Sequence, residues 1–195
     1  MGKLTVSVAP SVEPITTAEA KEWLRIDTSD TSQDAVLAIV IKGVRQLLEE
    51  SLNRTLIDTT YAYEMHGRDM VSPISLPKPD VQSITSLTTY EDVSGSETPT
   101  VVASSDYQLT GGQYLVERNN GWTINREYRA GTLVYVAGYG AAGSNVPQDI
   151  IAAMLEIIAL RWENRGDYGN FVSRTDNTEI ETTILAGLSH RRIYN

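Results

Sequence analysis

The chain has 195 residues, 41% hydrophobic and 21% charged, an ordinary globular composition long enough for one sizeable domain or a small domain carrying an insertion. A formal charge of −9 argues against a sequence-independent nucleic-acid binder, which needs clustered Lys and Arg. Cysteine is absent, which excludes disulfides, thiolate metal sites and cysteine nucleophiles. The N-terminal "MGKLTVSVAPSVEP" lacks an apolar leader, and no run approaches the roughly 18 apolar residues of a membrane span. A soluble protein of a reducing cytoplasm, with no membrane partner, is expected.

Thr16-Thr17-Ala18-Glu19 fits a capping box opening a short helix, "AEAKEWLRI". The polar turn "DTSDTSQD" echoes a calcium loop but lacks its glycine at the sixth position and its glutamate at the twelfth, so no calcium site is expected. A long helix is predicted from Ser32 to about Arg54. Leu37, Ile41, Val44 and Leu48 form its apolar stripe, and Val36, Val40 and Leu47 widen it. Lys42, Arg45, Gln46, Glu49 and Glu50 occupy the remaining arc.

From about Leu56 to Gly138 the period falls to two. Tyr61, Tyr63 and Met65 alternate with Ala62 and Glu64. "ISLPKPDVQSITSLTTY" predicts a strand, a proline-pinned turn and a longer strand, and "EDVSGSETPT" an exposed hairpin loop. Two short strands flank Gly111-Gly112, Asn120-Gly121 suits a type I′ turn, and "GTLVYVA" closes the set. Six or so short strands imply an inserted antiparallel sandwich or small barrel.

Helix returns near Pro147, with Asp149 close to the positive end of its dipole. Ile150, Ile151, Met154, Leu155, Ile157, Ile158 and Trp162 cover so much of its circumference that burial on two sides is expected. "NRGDYGNFVSRTDNTE" reads as a polar, mobile stretch, followed by a short amphipathic segment with Ile180, Ile184 and Leu188 and a basic end, "SHRRIYN". The expected class is α+β, a small helical bundle with an antiparallel β domain inserted between its second and third main helices. Residues 1–55 and 139–195 would form the helical domain and 56–138 the insertion.

"GYGAAG" fits the dinucleotide-binding pattern G-x-G-x-x-G after a strand. In that fold the helix begins within the glycines, which would put Pro147 inside it at a cost of about 3 kcal/mol. The second parallel strand ending in an acidic residue is also missing, so the glycines read as a hinge. His66 and His190 have no patterned third ligand, and no serine lies in a nucleophile elbow. No catalysis, cofactor or metal is expected. The Arg-Gly-Asp in "RWENRGDYG" reads as chance.

"PSVEPITTAEAKEWLRID", a helix ending "EESLNRTL", "LPKPDVQSITSLTTY" and "VYVAGYG…VPQDIIAAMLEIIALRWENRG" follow one another in an order that resembles the long form of the head–tail connector (adaptor) proteins of tailed bacteriophages. Glu50 and Arg54 look like that family's acidic residue and arginine near the end of the second helix. Trp162, Glu163, Asn164 and Arg165 look like its helix-end motif, with Trp for the more usual Tyr. The resemblance implies a structural protein of the virion neck, assembled in the bacterial host cytoplasm. It would form a ring of about twelve copies beneath the portal, bind the next neck or tail-completion protein, and enclose a channel through which DNA passes without specific binding. Ile180, Ile184, Leu188, Arg191 and Arg192 would form a portal-docking tail. Ile150, Met154, Ile157 and Trp162 would form a ring or interdomain interface. The alternative is a carbohydrate- or protein-binding module using Tyr61, Tyr63, Tyr90, Tyr107, Tyr114 and Trp122 of the β domain.

Overall fold

The computed structural model describes residues 2–93, 96–118, 126–165 and 171–192, over 171–177 by backbone alone. The chain divides into two compact units, one of strands (residues 1–10 and 58–140) and one of helices (residues 11–57 and 141–194).

The strand unit holds β1 (Lys3–Val8), β2 (Thr59–Met65), β3 (Ile74–Ser75), β4 (Val81–Val93), β5 (Ser96–Val101), β6 (Tyr107–Thr110), β7 (Tyr114–Glu117) and β8 (Gly131–Ala137). They form a five-stranded sheet, β1-β2-β8-β4-β5, and a three-stranded sheet, β3-β7-β6, with every pair antiparallel. Alternation drives the pairing. Tyr61, Tyr63 and Met65 of β2 and Leu133, Tyr135 and Ala137 of β8 all point inward. Tyr61 lies opposite Tyr135, their rings 5.7 Å apart. Leu87, Ile74, Leu76 and Leu115 join the same cluster, so both sheets bury one apolar core. Burial pushes the Tyr135 phenol up, although its oxygen accepts from the Lys78 amide at 3.4 Å.

Two expectations change here. Residues 3–8, assigned to the helical part, instead form an edge strand paired with β2. The "EDVSGSETPT" stretch is mostly paired backbone rather than loop, because β4 and β5 run on as a ribbon with Tyr90 opposite Pro99. Tyr90 donates its amide to Ala130 on the inner side, so the pair is a non-hydrogen-bonded one and Pro99 turns its missing N–H outward. That blunts the exposed edge of the sheet. Asn120-Gly121 lies outside the described residues.

The helical unit holds α1 (Thr17–Leu24), α2 (Asp34–Leu52), α3 (Gln148–Glu163) and α4 (Phe171–Gly187). The Thr16 capping box forms as expected: Glu19 donates its amide to the Thr16 hydroxyl, and its carboxylate accepts the Thr16 amide at 2.7 Å. Arg25 and Asn53 end α1 and α2 in the left-handed region, at φ 57° and 52°. Leu37, Ile41, Val44, Leu48 and Leu52 bury one face of α2. Packed against α1 and α2, α3 buries Ile150, Ala153, Met154, Ile157, Ile158 and Trp162. The fourth helix starts at Phe171, inside the stretch expected to be mobile.

Candidate assembly interface

Buried charge organises the helical unit. Arg45, placed by the sequence on the polar arc of α2, is only 5% exposed. Its Nε donates to Glu13 at 2.6 Å and its Nη1 to Glu49 at 2.7 Å. Burial alone would lower its pKa, but the hydrogen bond and charge of Glu13 and the charge of Glu49 outweigh that and hold it above the ordinary value. Glu49 also accepts the Leu56 amide at 2.9 Å, tying the chain leaving α2 to the same centre. Its neighbour Glu50 is exposed.

The polar turn that echoed a calcium loop is filled by the protein's own cation. Lys21 is 4% exposed, and its ammonium donates to the Asp30 carbonyl at 2.6 Å and the Thr28 carbonyl at 3.4 Å while pairing with the Asp34 carboxylate. Among the described residues no cluster of three or more metal-ligating side chains occurs, and no helix is long and apolar enough to cross a membrane.

The glycines of "GYGAAG" have structural work. Gly138 and Gly140 both sit at φ 150°, a conformation that favours glycine. A Cβ on Gly143 would collide with the Pro14 carbonyl oxygen. The two units meet in sequence between Gly140 and Ala141, where the return to the helices was expected. The preceding strand, β8, is antiparallel to both neighbours, and α3 begins only at Gln148, so neither side of the motif has a dinucleotide fold's geometry.

The C-terminal segment is held on the helical unit. Arg161 forms a two-pronged pair with Glu181, at 2.7 and 3.0 Å. Arg191 forms another with Asp149, at 2.9 and 3.2 Å, and His190 Nε2 lies 3.3 Å from the same carboxylate. Burial would raise the Asp149 pKa, but Arg191 and the amides at the start of α3 hold it below the ordinary value. Arg54, the arginine singled out at the end of α2, donates from Nε to the Arg191 carbonyl at 2.6 Å. Leu188 is buried and Ile184 half-buried, whereas Ile180 and Arg192 are exposed. At the helix-end motif, Arg165 stacks 3.7 Å over the Trp162 ring, and Asn164 donates back to the Leu160 carbonyl at 2.7 Å.

Ile150, Met154 and Ile157 are fully buried and Trp162 nearly so. They complete the core of a single chain rather than wait for a neighbour. Among the described residues of this unit, the large apolar side chains most open to solvent are others, namely Val12, Trp23, Val36, Ile39 and Ile180. The aromatic platform is not assembled either. Tyr61 and Tyr63 are buried, Tyr107 packs on the core, Tyr90 lies under Arg129, and only Tyr114 is well exposed. Trp122 lies outside the described residues.

Residues 14–108 match the phage gp6-like head–tail connector family. No curated protein sequence matches the chain. Among solved structures, a chain in the neck of an empty gene transfer agent (GTA) particle, computed with C6 symmetry, is 19% identical with a TM-score of 0.73, over 99% of this chain and 96% of that one. A chain in the virion of a native GTA particle is 20% identical with a TM-score of 0.72, over 98% and 96%. A third, in a native GTA neck computed with C12 symmetry, is 18% identical with a TM-score of 0.62, over 98% and 96%. The fold is shared with these chains along nearly the whole length, and the likeness to the phage gp6-like head–tail connector family spans residues 14–108.

Proposed function

We propose that this protein is a structural head–tail adaptor, about twelve copies of which close into a ring below the portal of a tailed phage or prophage-derived particle. The ring joins capsid to tail and encloses the DNA channel. The match of residues 14–108 to the head–tail connector family supports a connecting role. The observation that carries it is the near full-length likeness to neck chains of particles solved with C6 and C12 symmetry.

The portal is the partner above and a stopper or tail-completion protein the partner below. Assembly takes place in the bacterial host cytoplasm, and the mature site is the virion neck. A charge of −9 per copy suits a channel that repels phosphates and lets DNA slide, and no catalytic step is assigned. Portal docking falls to the C-terminal segment. With Leu188 and Arg191 engaged on the helical unit, the outward Ile180 and Arg192 make first contact.

Light scattering of the purified chain, alone and with the portal protein, tests the reading. A monomer or small oligomer that becomes a ring-sized complex on portal addition supports it. A chain that stays monomeric with portal present contradicts it. Ile180→Asp with Arg192→Glu should weaken portal capture without unfolding the helices; truncating the tail would also remove Leu188 and Arg191.

A further inference from the structure

Two apolar faces of the helical unit are left open by the described residues, and they differ in shape. The first is a ridge on α2. Val36, Ile39, Val40, Gly43 and Leu47 recur at helical spacing, turned away from the buried stripe of Leu37, Ile41, Val44 and Leu48. Val36 is 49% and Ile39 72% exposed. Gly43 is the odd member. A glycine inside a helix is less favourable than alanine, and a Cβ there would meet nothing within 4 Å. The fold of one chain gives no reason for it, whereas close approach of another backbone does.

The second face is a groove of about 580 Å³ lined by Val12, Pro14, Ile15, Ala142, Ile151 and Leu155. Its border carries the carboxylates of Glu13 and Glu19 and no basic side chain. A smaller hollow extends it to Ala38 and Ile41 of α2. At about 100° per residue, Ala38 and Ile41 lie nearly opposite the ridge around that helix.

We infer that the α2 ridge of one copy seats in the groove of the next copy around the ring. The inference rests on the ring reading and deepens it. A closed ring needs a heterologous contact, made by two different patches on opposite sides of each subunit, and a ridge facing away from a groove meets that need. Charge agrees. Lys42, exposed at the third position after Ile39, has no ion-pair partner among the described residues. The groove lining carries two carboxylates, Glu13 and Glu19, of which Glu13 is paired with Arg45, so a negative charge is left for Lys42 to meet.

The chain has no cysteine, so Ile39→Cys combined with Val12→Cys supplies the only thiols for a short bis-maleimide. Portal-nucleated assemblies of that variant should give a ladder of covalent multimers. Ile39→Asp should leave the monomer melting curve in place and Gly43→Leu should leave it in place or raise it, while each lowers ring yield by at least about tenfold. Rings of the double-cysteine variant that give no ladder, alongside normal assembly of Ile39→Asp, overturn the inference and leave the ring reading standing. Loss of portal capture with ring closure intact makes the portal the occupant of the ridge, which also overturns it. A wild-type chain that forms no ring at all removes the ring reading and this contact together.

Discussion

Arg191, near the C-terminus, is clamped to Asp149 in the first turn of α3, with Nε 2.9 Å and Nη2 3.2 Å from the two carboxylate oxygens. The contact closes the last described segment onto the helical unit. Because both side chains are about a third exposed, the pair is worth little globally. Asp149→Asn should cost under about 1 kcal/mol of unfolding free energy while markedly lowering hydrogen-exchange protection of residues 178–192. Unchanged protection in that segment would show that Leu188 and the Arg161–Glu181 pair hold it without the clamp.

The same contact predicts a pH dependence. Asp149 has a folded pKa below its unfolded value, so its contribution is present above the ordinary Asp value of about 3.9 and is lost as pH falls through the depressed folded one. Tail protection should therefore hold from pH 7 to 5 and fall only below about 4. A collapse between pH 7 and 5 contradicts the assignment.

Arg45 is a buried cation with two carboxylates. Arg45→Met leaves Glu13 and Glu49 facing each other without it and should cost about 3 kcal/mol, measured by denaturant unfolding. Adding Glu49→Gln should return part of that loss by removing one of the two carboxylates that Arg45 neutralises. A double variant less stable than the single would contradict the electrostatic account.

Lys21 fills a polar loop from within. Lys21→Met keeps most of the stem volume but strands the Asp30 and Thr28 carbonyls and the Asp34 carboxylate, at an expected cost of about 2 kcal/mol. Thermal unfolding within a degree of wild type would mean that water replaces the ammonium freely.

Two glycines should respond in opposite directions. Gly43→Ala places a methyl in open space on a helix and should stabilise the isolated chain by about 0.5–1 kcal/mol. Gly143→Ala forces a methyl against the Pro14 backbone and should destabilise by at least about 1 kcal/mol. Melting temperatures of the two variants shifting in the same direction would contradict the close-approach argument.

What the sequence made legible was local. The Thr16–Glu19 box, the Leu37–Leu48 stripe and the alternation of β2 and β8 each carry their signal within a few residues. What it hid depended on distant partners. "KLTVSV" alternates apolar and polar residues, yet its pairing strand begins more than 50 residues on, so nothing local marks it as sheet. The β4–β5 ribbon is largely exposed beyond Tyr90 and shows no apolar pattern to read. Arg45 fell on the polar arc of α2, and its burial stayed hidden because one of its two carboxylates, Glu13, stands 32 residues away. The wide apolar surface of α3 was expected to be buried on two sides, and Ile150, Ala153, Met154, Ile157, Ile158 and Trp162 are buried. Which of its residues stay open, Ile151 and Leu155 rather than Ile150 and Met154, required the packing itself.

The most direct test of the account is cryo-electron microscopy of purified chain mixed with its portal protein. The account predicts a ring of about twelve copies stacked on the portal around an open axial channel. Portal particles whose faces carry no density for this chain, at concentrations where both proteins are folded, would contradict it.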